Sequence, residues 1–343
     1  MKPRPTANPP QRFRASETTY DAGEVPASAA TLVEDDSKSI LAHNDSPDIG
    51  FSWSVNPYRG CLHACAYCYA RPTHEYLGFG AGTDFDTKIL VKRRAPELLR
   101  QAFERPSWKG ELIAFSGVTD CYQPVEAKLG LTRGCLEVCA EYRQPVGIIT
   151  KAPLIERDLD LLGELATHAR VQVRVSVPFI DLDHARALEP YVATPARRLE
   201  TISRLAQAGI PVGVNVAPII PGLNDEELAK VLKAAREAGA TRAGYVLLRL
   251  PGAVRPVFEE RLRQAFPLKA ERVLHRLRET RGGELYDARF GLRGSGTGLY
   301  AEQIAALFET TARRLGYSQG HTAPEGETTF RRPPKPGAQL PLL

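Results

Sequence analysis

Cys61, Cys65 and Cys68 place three thiols at C-x3-C-x2-C spacing inside the stretch Cys61-Leu62-His63-Ala64-Cys65-Ala66-Tyr67-Cys68. A 4Fe–4S cluster is usually held by four cysteines, so three leave one iron without a protein donor. An open coordination position is where a metal acts on a bound molecule. Other metal readings fit these residues less well. A structural zinc site closes four ligands, commonly as two pairs; His63 lies between two of the cysteines, and no second C-x2-C pair occurs in the chain. The haem-attachment pattern C-x-x-C-H fails because Tyr69 follows Cys68, and a thioredoxin-like pair has no use for Cys61.

A cluster loop needs a scaffold, and the pattern around it alternates. Short apolar or β-branched runs occur at Lys88–Val91, Leu112–Phe115, Val146–Thr150, Val171–Val177, Val212–Ile220 and Tyr245–Leu250, and Phe51–Asn56 also qualifies. Amphipathic stretches separate them at Pro96–Phe103, Val125–Tyr142, Leu154–His168, Pro195–Ala208 and Glu226–Ala238. Thr194-Pro195 opens one helix and Gly209 closes it; Asp225-Glu226-Glu227 puts acid in the first turn of the next, which Gly239 ends. Repeated β-α alternation implies a parallel sheet with crossover helices.

In parallel sheets built with crossover helices the chemistry sits at the C-terminal ends of the strands. The second unit ends in Phe115-Ser116-Gly117-Val118-Thr119-Asp120, where Gly117 allows close approach of a ligand and the Asp120 carboxylate suits an ammonium group. Strand three ends in Thr150-Lys151, strand four in Ser176 and strand five in Asn215 through Pro221-Gly222. Polar groups gathered on one rim of an apolar cavity suit a nucleoside-like ligand.

Asn56-Pro57-Tyr58-Arg59-Gly60-Cys61, Cys65-Ala66-Tyr67-Cys68-Tyr69-Ala70-Arg71 and Thr119-Asp120-Cys121-Tyr122-Gln123-Pro124-Val125-Glu126 resemble the spore photoproduct lyase-like branch of the radical S-adenosylmethionine (SAM) superfamily. Glu189-Pro190, Pro195-Ala196-Arg197-Arg198-Leu199-Glu200 and Pro218-Ile219-Ile220-Pro221-Gly222-Leu223-Asn224-Asp225 extend the likeness over about Ile40 to Leu250. The resemblance implies an α/β fold, a partial (β/α)6 TIM-like barrel with parallel strands. It implies that Cys61, Cys65 and Cys68 bind a 4Fe–4S cluster whose open iron is chelated by SAM. Reductive cleavage of SAM would then give a 5′-deoxyadenosyl radical that abstracts hydrogen from a substrate. Tyr67 would lie against the adenine, with Ser116, Lys151 and Ser176 contacting SAM. A flavodoxin or ferredoxin would supply the electron. Spore photoproduct lyase itself uses a hydrogen-donor Cys in its second strand; here that stretch reads Ala114-Phe115, and Cys121 falls in the following loop.

Length, composition and charge bound the rest. A chain of 343 residues, 43% hydrophobic, accommodates a barrel with appendages. The expected organisation is a disordered or extended segment at 1–45, the core barrel at 46–255, a helical extension at 256–320 and a disordered tail at 321–343. The net charge of +5 admits a nucleic-acid substrate, although Arg spread over helix faces is more often a solvated surface. Six Cys without a dense disulfide spacing, no apolar leader and no membrane-length apolar run predict a cytoplasmic protein with no membrane contact. Cys135 and Cys139, four apart on a helix, could join Cys121 in an auxiliary cluster, but buried core thiols are the commoner outcome. The competing functions are a DNA photolesion-repair lyase and a non-catalytic, metal-stabilised nucleic-acid-binding protein. The Gly/Arg-rich stretch Gly291–Gly298 lacks a P-loop lysine and is expected, with Lys269–Gly296, to close the open side of the barrel.

Overall fold

The computed structural model describes residues 6–13, 29–318 and 328–334. Among them ten strands form two sheets: β1 (Thr31–Glu34), β2 (Leu41–His43), β3 (Trp53–Val55), β4 (Tyr58–Arg59), β5 (Lys88–Val91), β6 (Ile113–Phe115), β7 (Val146–Thr150), β8 (Val171–Ser176), β9 (Val212–Ile219) and β10 (Arg242–Leu247). The larger sheet runs β10-β9-β8-β7-β6-β3-β2. Its strands β3, β6, β7, β8, β9 and β10 pair in parallel, and β2 closes the edge antiparallel to β3. This is the partial (β/α)6 barrel, with Trp53–Val55 as its first strand. Lys88–Val91 has the same β-branched character but belongs elsewhere: β5 pairs with β1 and β4 in a separate three-stranded sheet beside the barrel.

Alternation along the strands sorts the two faces. Val146, Ile148, Val171, Val173, Val175, Val212, Val214 and Val216 are buried against the outer helices in the main apolar core. Of the residues on the other face, Gly147, Ile149, Gln172, Arg174 and Asn215 keep part of their surface accessible, while Gly213 is buried. A period of two with only one face buried is what a sheet covered by helices on its outside and open within its lumen requires.

The helices Ala95–Glu104, Leu131–Glu141, Leu159–His168, Pro195–Gln207 and Leu228–Glu237 follow the barrel strands in order. The predicted helix over Val125–Tyr142 is two, Glu126–Leu129 and Leu131–Glu141, broken at Gly130. The buried Glu126 carboxylate accepts from Thr132 N (2.9 Å) and Arg133 N (3.2 Å), meeting the unpaired first-turn amides of the second helix. The outer helix after β10 is Leu299–Arg314, packed through Phe308 onto Tyr245 with ring centroids 4.7 Å apart. Between them, helices Val254–Ala265 and Ala270–Glu279 form a second apolar core with Cys65, Tyr67, Phe179, Leu188 and Leu248. The Gly/Arg-rich stretch sits at the end of β10: Leu247 N donates to Gly294 O (2.8 Å), Gly291 N donates to Asp48 Oδ1 (2.6 Å), and Arg293 pairs with Asp48. Its amide and guanidinium are thus engaged within the chain rather than held open for a phosphate.

Both terminal expectations need correction in part. Residues 29–45 carry β1 and β2, four- and three-residue strands too short for their period to stand out among Ser and charged residues. Thr6 accepts from Thr83 N (3.0 Å) and Asn8 Oδ1 accepts from Gly82 N (3.1 Å). A Cβ at Gly82 would lie 2.2 Å from Ala7 O, so this crossing requires glycine. In the tail, Phe330 is buried against Phe103 and Tyr142 and Arg332 donates to Phe103 O (2.9 Å). The remaining residues of the two expected disordered segments lie outside the described residues. Among the described residues no helix is long and apolar enough to cross a membrane.

Candidate active site

The three cysteines stand on the loop that follows β4, at the C-terminal rim of the barrel, and that loop is fastened at both ends. Gly60 turns the chain with φ +80°; a Cβ there would meet His74 Cε1 at 2.8 Å and Lys88 O at 2.9 Å. Gly60 O accepts from Thr119 Oγ1 (2.6 Å) and Gln123 Nε2 (3.0 Å), while Gln123 Oε1 accepts from Leu62 N (3.0 Å). Cys61 N donates to Phe85 O (3.0 Å) and Ala66 N to Leu188 O (2.9 Å). From below, the Arg71 guanidinium, 1% exposed, donates to Cys65 O (2.9 and 3.1 Å), Ala81 O, Gly82 O and Asp86 Oδ1 (2.8 Å). Buried donors and acceptors all matched in this way make a rigid loop.

The thiols are unequal. Burial drives Cys65 well above the ordinary thiol range and Cys68 up to about 11, and their cysteine neighbours add to the rise. Cys61 runs the other way: burial would raise it, but the charge and hydrogen bond of His63 hold it below its ordinary value. Burial would likewise lower His63, yet the Cys61 thiolate and Asp120 bring the imidazole up to about 10. Among the described residues no three His, Cys, Asp or Glu side chains close around a single ion. The three thiols do share a field, and a cluster that takes one thiolate per iron needs them spread wider than one ion's shell. The donor set therefore suits a multi-iron cluster better than a lone zinc.

The structure brings the sequence-predicted rim residues to this loop, with roles that differ from residue to residue. Asp120 Oδ1 accepts from Tyr122 N (3.0 Å) and Thr150 Oγ1 (2.7 Å), and Oδ2 from Lys151 N (2.8 Å), with His63 Nδ1 at 3.4 Å. Burial would raise this carboxyl, but His63, Lys151 N–H and Thr150 hold it near 2. With its oxygens filled from within, Asp120 is a positioning residue joining β7 to the cluster loop, not a free ligand for an ammonium group. Ser116 follows β6 with φ +81°, a strained conformation for a serine, and its Oγ accepts from Cys121 N (3.0 Å). The next two amides, Gly117 N and Val118 N, donate to Asn56 Oδ1 (2.8 and 3.0 Å). Lys151 Nζ lies 5.7 Å from the centroid of the Tyr67 ring. Burial would lower that ammonium, but Cys65 and Glu189 raise it. Ser176 is buried at the end of β8, level with Asn215 of β9.

A buried ion pair that the sequence reading did not single out underlies Tyr67. Its hydroxyl donates to Glu189, whose other oxygen accepts from Arg198 Nη2 (2.5 Å); Arg198 Nη1 donates to Ser176 O (2.9 Å). All of it is buried, so this chain of contacts fixes Tyr67, and hence the Cys65–Cys68 segment, to the end of β8. Glu189 and Arg198 lie in motifs that carried the family resemblance, but a pair nine residues apart across two helices has no local signature. Tyr69, half exposed beside Cys68, donates to Gly117 O (2.8 Å) and lies under Arg249, whose Cζ is 5.5 Å from the ring centroid. Cys121, Cys135 and Cys139 are fully buried in the outer apolar core.

Comparisons with known proteins agree with this geometry. An uncharacterised protein of Mycobacterium tuberculosis is 42% identical over 219 residues, 63% of this chain and 64% of that protein. One from Methanocaldococcus jannaschii is 30% identical over 178 residues, 52% of this chain and 64% of that protein. The match thus spans a little under two thirds of the length of these relatives. A spore photoproduct lyase structure with bound AdoMet and dinucleoside spore photoproduct superposes with a TM-score of 0.58 at 18% identity, covering 83% of this chain and 78% of that one, which establishes the shared fold. The Radical SAM superfamily model matches residues 55–235, more than half of the chain, from β3 through the cluster loop to the helix after β9. The chain belongs to the radical SAM superfamily.

Proposed function

We propose that Cys61, Cys65 and Cys68 hold a 4Fe–4S cluster, that SAM occupies its fourth iron, and that reductive cleavage of SAM serves hydrogen abstraction from a substrate in the barrel lumen. The observation that carries this reading is the loop itself: three thiols at the C-terminal rim of a parallel barrel, with no fourth Cys ligand beside them among the described residues. When bound, the cluster and SAM supply a primary-carbon radical reactive enough to take hydrogen from an unactivated C–H bond.

The chain's own residues supply position and exclusion. Arg71, Gln123 and Thr119 hold the loop backbone, and Asp120 with His63 sets the Cys61 side of it. The Glu189–Arg198 pair holds Tyr67, leaving its ring to face a nucleoside, while Lys151 and Ser176 offer a cation and a hydroxyl at the same rim. The buried walls around the loop keep water from a radical. A one-electron donor of the flavodoxin or ferredoxin class is the implied partner.

Repair of a DNA photolesion finds less support. Ala114 occupies β6, paired with Ser54 of β3 and Gly147 of β7, so no thiol projects from that strand. Cys121 is fully buried and packed in the outer core, with its amide on Ser116, which does not suit it to replace a lumen hydrogen donor.

The test is anaerobic reconstitution with iron and sulfide, then dithionite and SAM, with 5′-deoxyadenosine quantified chromatographically. Product in the intact chain and none in Cys61→Ala is the expected result. No product from a chain carrying a full cluster would overturn the proposal.

A further inference from the structure

The lumen of the barrel contains two guanidinium groups that no carboxylate among the described residues pairs with. Arg174 of β8 and Arg242 of β10 are level with each other, separated by Gly213 of β9. Both point inward. Arg174 lies between the helix-facing Val173 and Val175, and its Nη1 approaches Asn215 Oδ1 at 3.3 Å. A Cβ on Gly213 would be 3.2 Å from the Arg242 Cβ, so the two side chains leave the sheet on one side. A Cβ on Gly244 would stand 3.2 Å from both Arg174 Nη1 and Asn215 Oδ1. On the neighbouring strand β7, a Cβ on Gly147, which pairs with Gln172 one inward position below Arg174, would meet nothing within 4 Å. Open space thus adjoins the positive charge.

Among the described residues no carboxylate pairs with either arginine, whereas Arg71 has Asp86, Arg198 has Glu189 and Arg293 has Asp48. Burial lowers the affinity of Arg174 for its proton, and the charge of Arg242 lowers it further. Placing two like charges together in a partly desolvated lumen is unfavourable unless an anion joins them. Planar guanidinium forks match oxyanions in shape as well as charge. The pair lies two residues below the Ser176–Asn215–Gly244 level, roughly 7 Å toward the strand N-termini at the usual rise per residue.

We propose that the substrate of this enzyme carries an oxyanion, a carboxylate or a phosphate group, which Arg174 and Arg242 bind inside the lumen beneath the rim. The inference rests on the radical SAM reading above, and it makes the substrate small enough, at least at its charged end, to enter the barrel.

The test is calorimetric titration of the reconstituted full chain at low ionic strength, with inorganic phosphate in one arm and propionate in the other. Saturable one-to-one binding of either is expected, and the arm that binds identifies the group. Arg174→Gln should weaken it by at least about tenfold, Arg174→Lys should recover part of the loss, and Arg242→Gln should weaken it less. Gly244→Ala keeps both charges but crowds the Arg174 tip, and should weaken the same arm even if Arg174→Gln fails to fold. No saturable binding in either arm, or equal binding in folded Arg174→Gln, overturns the inference. The 5′-deoxyadenosine assay separates the two claims: product without anion binding sinks only this one, and anion binding without product sinks only the radical chemistry.

Discussion

Two groups of three cysteines in one chain end up as different chemical objects. Cys61, Cys65 and Cys68 occupy a loop whose carbonyls and amides are tied to Arg71, Gln123 and Thr119, with His63 and Lys151 bringing positive charge to the sulfurs. Cys135 and Cys139 lie one turn apart on helix Leu131–Glu141, and Cys121 lies in the loop after β6; all three belong to the apolar core that holds Leu136, Val138 and Ile148. Burial pushes each of these thiols well up, with only acidic or thiol neighbours adding to the rise at Cys135 and Cys139. In the loop, His63 holds Cys61 below its ordinary value and Lys151 and Arg71 oppose the rise at Cys65 and Cys68, whereas no cation opposes it at Cys135 or Cys139, which behave as small hydrophobes. The auxiliary-cluster reading therefore yields to the core reading on environment, since spacing alone allowed both.

The contrast can be broken most severely at the loop. Cys61→Ala, Cys65→Ala or Cys68→Ala should each reduce iron from about four per chain to near background after reconstitution, while Cys135→Ala and Cys139→Ala keep the iron content of the parent. Iron and sulfide analysis decides this, and loss of iron in Cys139→Ala would contradict the division. Next in size, Arg198→Met leaves the buried Glu189 carboxylate without its partner and should cost about 3–5 kcal/mol, measured as a shift of the denaturant midpoint. Arg71→Lys keeps the charge but cannot reach Cys65 O, Ala81 O, Gly82 O and Asp86 together. It should cost about 2 kcal/mol and make the reconstituted visible absorbance bleach faster in air. Smallest, Cys139→Ala removes one sulfur from the apolar core and should cost about 1 kcal/mol, with no change in the absorbance of the cluster.

The legible parts of the molecule were those with a short-range signal. Period-two runs at Val146–Thr150 and Val171–Ser176 flanked by amphipathic helices announce the parallel barrel, and C-x3-C-x2-C announces the loop. Where a signal is equally good for two places, sequence does not choose. Lys88–Val91 carries adjacent Ile, Leu and Val as a barrel strand would, and only its pairing with Thr31–Glu34 and Tyr58–Arg59 puts it in the side sheet. Asp120 stands at a strand end suited to ligand binding, but whether its carboxylate is free or filled depends on Thr150, Lys151 and His63, which are distant in sequence. Glu189 with Arg198, and Arg174 with Arg242, meet only because β8, β9 and the neighbouring helices bring them together. Charge pairing in a folded interior is a tertiary property, and so is its absence.

The central claim is that three cysteine ligands leave one iron for SAM. Electron paramagnetic resonance of the dithionite-reduced, reconstituted chain, recorded with and without SAM, tests it directly, because a ligand on the open iron changes the symmetry of the spin-bearing cluster. The account predicts a reduced-cluster signal whose g-values shift on addition of SAM, with 17O label in the SAM carboxylate broadening the shifted lines. An unchanged signal at saturating SAM, with neither shift nor broadening, would contradict it.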